Sequence, residues 1–106
     1  LTIIKVKGKF PTLNKYTNAN RYNRYAGASL KKKWTKKVKK ECELLDIKPF
    51  EQVNLKFIWH EKNRRRDPDN VAFSKKFVLD GMVESGILEN DGWKQVKSFK
   101  DEWVVD

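Results

Sequence analysis

A chain of 106 residues that is 39% apolar and carries six Phe, three Tyr and four Trp has the span and the material for one packed domain, which argues against wholesale disorder. No apolar run nears the roughly 18 to 20 residues of a bilayer-crossing helix, and no basic-then-apolar leader opens the chain, so a soluble, cytoplasmic protein without a membrane partner is expected. Lys and Arg number 24 against 14 Asp and Glu, a net charge of +10 that points to a polyanionic partner, while one Cys and one His exclude a disulfide framework and a Cys-rich or His-rich metal site.

Residues 2–10 alternate, Ile4, Val6 and Phe10 against Lys5, Lys7 and Lys9, which predicts a half-buried strand. From Pro11 to Gly27 the periodicity stops, and a segment rich in Asn, Arg and Tyr reads as an ordered loop. Ser29 can cap a helix in which Leu30, Trp34, Val38, Cys42 and Leu45 recur at spacings of three and four, with seven lysines between Lys31 and Lys40 on its other faces. Pro49 closes that region, and Val53, Leu55, Phe57 and Trp59 then mark a strand. After Arg64-Arg65-Arg66 comes a second helix, with Pro68 near its first turn and Gly86 at its end. Glu89-Asn90-Asp91-Gly92 forms a turn, and Trp93, Phe99, Trp103 and Val105 are expected on a last strand. The implied architecture is α/β or α+β: a small mixed sheet packed with two main helices in a single domain covering residues 1–106.

Charge divides this chain unevenly. Residues 1–66 hold 19 basic and 5 acidic side chains, and residues 67–106 hold 5 basic and 9 acidic. Carboxylates next to a phosphate-binding surface repel the ligand unless a cation neutralises them. Asp67 and Asp69 stand two apart at a strand-to-helix junction, and Asp91 returns in the turn after the helix. Three converging carboxylates suit Mg²⁺ or Mn²⁺, hard cations that prefer oxygen ligands. The ordinary reading is that Asp67 caps the helix, Asp69 favours its positive end and Asp91 belongs to the turn.

The run Arg64-Arg65-Arg66-Asp67-Pro68-Asp69-Asn70, a helix with Lys75-Lys76 and Asp80-Gly81, and then Gly86-Ile87-Leu88-Glu89-Asn90-Asp91 resemble the RusA family of Holliday junction resolvases, its phage and prophage members in particular. The first strand, the Asn-rich segment and the Lys-rich helix with Trp34 stand in the family's order, and the last 40 or so residues carry its specific motifs. The resemblance implies a RusA-like fold and a homodimeric endonuclease that cuts four-way junction DNA symmetrically with a divalent metal. It assigns the paired acids to Asp67 and Asp69 and the third acid to Asp91. The family's helix lysine often stands four residues beyond the second acid, where this chain has Phe73. Lys76, seven beyond Asp69 and four before Asp80, takes that role, with Lys75 as the alternative. Members often have two acids in the turn where this chain has Asn90-Asp91, so an auxiliary carboxylate is absent or is supplied by Glu89.

Beside this reading stand two others, a DNA- or RNA-binding module without catalysis and a less selective flap or RNA nuclease. Arg64, Arg65 and Arg66 are candidate phosphate contacts, with Lys75 and with Asn14, Asn20, Arg21, Arg24 and Tyr25 as further DNA contacts, although turn formation accounts for the asparagines equally well. Cys42 and the four tryptophans fall at periodic positions and read as core, and His60 lies on a strand as a remote general-base candidate.

Overall fold

A computed structural model describes residues 1–106 as six elements: α1 (Leu13–Tyr22), α2 (Arg24–Glu43), β1 (Val53–Glu61), α3 (Pro68–Ala72), α4 (Lys75–Ser85) and β2 (Val96–Val105). The class is mixed α/β, as expected. The sheet has two strands, and they are parallel rather than mixed, with Leu55 opposite Phe99 and Trp59 opposite Trp103. A parallel pair requires a crossover, which α3 and α4 supply. No helix is long and apolar enough to cross a membrane.

Residues 2–10 do not join the sheet. Their alternation holds only as sidedness: Ile4, Val6 and Phe10 pack against the core, but no strand lies alongside to pair with their backbone. The expected loop after Pro11 is instead α1. Thr12 caps it by accepting from Lys15 N, and Tyr16 packs on Phe73 and Phe77 at ring separations of 5.5 and 5.6 Å. Tertiary contact thus overrides the poor helix propensity of its asparagines. Asn23 rather than Ser29 caps α2, accepting from Ala26 N at 2.8 Å and starting the helix six residues earlier, at Arg24.

The expected single helix after Pro68 is broken at Phe73–Ser74. Ser74 is fully buried, and its hydroxyl donates to Pro11 O, so the break is tied to the segment leading into α1. Gly86 then ends α4 in the left-handed region, φ 88°, which a glycine adopts without penalty.

One core cluster joins Val38 and Cys42 of α2 to Val53, Met82, Ile87 and Leu88, and a second joins Phe57 and Trp59 to Val71. α2 and α4 meet closely at Gly81, where a Cβ would come within 2.6 Å of Val38 Cβ. Two of the four tryptophans expected in the core are there, Trp34 and Trp59. Trp93 is 96% exposed in the loop before β2, and Trp103 is 41% exposed, its Nε1 donating to Pro68 O at 3.1 Å.

Candidate functional site

Lys75 and Lys76 open α4, directly after the break at Phe73–Ser74, and point in different directions. Lys75 turns to the sheet: Nζ lies 2.7 Å from Asp101 Oδ2 and 4.6 and 5.2 Å from the ring centres of Phe99 and Phe57. Asp101 also accepts from Trp59 Nε1 at 2.9 Å, so Lys75 is part of a half-buried strut between α4 and both strands. Lys76 turns the other way. Its ammonium lies 3.3 Å from Asp80 Oδ1 and 3.9 Å from Asp91 Oδ2. Residues 75 and 76 differ by about 100° around the helix, which accounts for the division.

Asp80 was not among the sequence candidates, though its spacing four residues after Lys76 was the signal available. It gathers charge from two helices, with Lys31 of α2 at 3.8 Å, and its buried Oδ2 has no hydrogen-bond partner. Asp80, Glu84 and Asp91 line one groove with Lys31, Lys32 and Thr35.

Asp67 and Asp69 stand elsewhere on the surface of the crossover. Asp67 occupies the N-cap position of α3 but makes no side-chain cap bond, and Asp69 lies in the first turn. Both are exposed, and neither carboxylate takes part in a hydrogen bond or ion pair, although three arginines precede them. The ordinary reading of Asp67 as a side-chain cap therefore does not hold. No group of three or more His, Cys, Asp or Glu is gathered in a way that would hold a metal ion. The expected convergence of Asp67, Asp69 and Asp91 is not assembled in this arrangement: like charges repel, and Lys76 draws Asp91 toward α4.

A cleft of about 380 Å³ lies between the segment 9–15 and residues 65–70. Lys9, Lys15, Arg65 and Arg66 supply its charge, with Thr12, Asn14 and Asn70 as polar lining, and none of the residues lining it is acidic. Asn70 Oδ1 accepts from Asn14 N at 3.1 Å, and Arg66 reaches Phe10 O at 2.9 Å and Glu61 Oε1 at 3.0 Å, so the two walls are fastened together. Asp67-Pro68-Asp69 is the stretch between two of its wall segments, Arg66 and Asn70.

Among the other candidates, Asn20, Arg21, Arg24 and Tyr25 are exposed on α1 and at the start of α2, with Arg24 stacked over Tyr25 at 5.1 Å. Arg64 is exposed beside the cleft. Glu89 and Asn90 are exposed, and Asn90 Oδ1 accepts from Asp91 N at 2.9 Å, holding the turn. His60 lies on the exposed face of β1, 3.2 Å from Asp106. Burial raises the pKa of the Cys42 thiol, which keeps it protonated and a poor nucleophile within the core.

Comparison with known proteins returns no family model, no curated protein and no solved structure that matches the chain.

Proposed function

We propose that this domain is a metal-dependent endonuclease that hydrolyses phosphodiesters in branched DNA, resolving Holliday junctions by paired incisions. The observation that carries the reading is the pair of exposed carboxylates at Asp67 and Asp69, unengaged by any cap or ion pair, in the stretch of chain that joins Arg66 and Asn70 of a cationic cleft. A module that only held phosphates would be weakened by them. Their oxygens fit a hard divalent cation in donor type; Asp91, the third proposed ligand, is held beside Lys76 on the loop before β2 and has to leave that place to join them. Mg²⁺ or Mn²⁺ bound there would supply a water of lowered pKa and offset the charge of the carboxylates.

The chain's own residues do the rest. The cationic cleft draws in and orients the DNA backbone, and Lys76, exposed beside Asp80 and Asp91, stabilises negative charge that grows on the phosphoryl oxygens. Resemblance to the RusA family supplies the choice of junction DNA and of a second copy as partner. A four-way junction has two-fold symmetry, so a two-fold dimer presents one site to each opposed strand. Half-exposed Phe99, Trp103 and Val105 on β2 are apolar surface that a second copy would cover.

The test is incubation with a labelled four-way junction, a linear duplex of the same sequence, a flap and a single-stranded RNA, with Mg²⁺ or with EDTA. Junction cleavage that requires the metal is expected. Equal cutting of flap or RNA would favour the less selective nuclease, and binding without cleavage in any arm would leave a non-catalytic module.

A further inference from the structure

The cleft between residues 9–15 and 65–70 has a chemical character more specific than a basic surface. Three of its four cations, Lys9, Lys15 and Arg65, have no carboxylate within ion-pair distance, and only Arg66 is paired, with Glu61. Like charges gathered around a concavity without acidic partners raise the potential inside it, which an anion relieves. Thr12, Asn14 and Asn70 add neutral hydrogen-bonding groups beside them. The cleft opens at the N-terminal end of α1, whose first turn holds no acidic residue, so the helix dipole adds to the same sign.

What the cleft lacks is equally informative. Its one apolar lining residue is Phe10, and that ring is already packed on Trp34 at 4.5 Å and edge-on to Trp59 at 6.4 Å. No aromatic face is left for a base to stack on, which is how single-stranded nucleic acid is usually held by its bases. Asn14 and Asn70 are bonded to each other across the cleft, which removes one amide oxygen from the set available to read a base edge.

We propose that this cleft is a base-blind seat for the sugar-phosphate backbone of a DNA strand, with Lys9, Lys15 and Arg65 as its phosphate contacts and Arg66 as the strut that fixes its shape. A strand seated there runs beside Asp67 and Asp69, which stand in sequence between the lining residues Arg66 and Asn70. The inference rests on the nucleic-acid part of the proposed function but not on hydrolysis, so its test is run without a divalent metal.

The 106-residue chain, isotope-labelled and held in EDTA, is titrated with a thymine octanucleotide and with an abasic octamer of the same backbone, and backbone amide shifts are followed. Shifts centred on Asn14, Lys15, Arg65 and Asn70, with affinities for the two octamers within about twofold, are expected. Lys15→Ala and Arg65→Ala should each lower the salt-dependence slope for the octamers by about 0.7. Shifts centred on the lysine face of α2, or a tenfold loss for the abasic octamer, would overturn the proposal. Displacement of the octamer by equimolar pyrophosphate would also overturn it, by showing a small-anion site in place of a strand seat. A chain that cuts junctions yet shows no shifts in the cleft would lose the seat and keep the nuclease reading. Shifts in the cleft without cleavage would do the reverse.

Discussion

Lys75 and Lys76 are adjacent and chemically identical, yet the fold gives them different work. Lys75 is only 21% exposed and holds Asp101, which in turn holds Trp59. Hydrogen bonds to charged groups contribute about 1.5 to 3 kcal/mol each, so Lys75→Ala should lower stability by that order and leave little specific effect on chemistry once the protein is folded. Lys76 is 57% exposed, and its exposed ion pairs contribute little to the fold. Lys76→Ala should keep the melting temperature within a few degrees and slow single-turnover cleavage by about 100-fold or more, with junction binding nearly unchanged. Melting curves and cleavage rates for both variants check this, and a Lys76→Ala enzyme cutting at the native rate would remove it from the site. The sequence spacing placed Lys76 four residues from Asp80, but nothing in the sequence said that Asp80 would be partly buried or share a groove with Asp91.

Periodicity located β1, α2 and α4 because each of these buries an apolar stripe, and much of β2 because Phe99, Trp103 and Val105 alternate along it although they stay half-exposed. It failed where the structure is held by contacts between distant segments. The 2–10 alternation describes which side faces the core and not what the backbone pairs with. The asparagines of α1 read as turn formers, but Tyr16 on Phe73 and Phe77 and the bond from Asn14 N to Asn70 bring the helix against the crossover. Ser74 interrupts the helical pattern because its hydroxyl is bonded to Pro11 O, sixty-three residues away. The α2–α4 contact was also hidden, since a lone Gly81 in a helix looks only unfavourable. Gly81→Ala should gain about 1 kcal/mol of helix propensity and lose more to overpacking, typically about 1 to 3 kcal/mol, because the new methyl meets both Val38 and Thr35 O at 2.9 Å. A denaturation series should therefore show net destabilisation, and adding Val38→Ala should not restore it, because alanine keeps the Cβ that the new methyl meets at 2.6 Å and the Thr35 carbonyl does not move away. A more stable single variant would mean that the two helices separate easily.

Across the whole molecule the basic and acidic portions of the chain meet along the 62–70 segment, where the positively charged cleft adjoins Asp67 and Asp69. The charge arithmetic and the acidic motif were legible without coordinates. The fastening of segment 9–15 to residues 65–70 was not, because it depends on Arg66 reaching Phe10 O. Only 19 of 106 residues are buried, so the fold relies on such struts as well as on its core. On the proposed function, holding DNA and cutting it fall to separate residues: the cleft would bind backbone, and the carboxylates would provide for the reaction. Asp69→Asn tests that separation directly. Junction binding in EDTA and single-turnover cleavage with Mg²⁺ are measured on the same preparation of wild-type and variant protein. Binding equal to or tighter than wild type is expected, since a negative charge facing phosphate is gone, together with a loss of cleavage of about 100-fold or more. A variant that cuts the junction at the wild-type rate would contradict it.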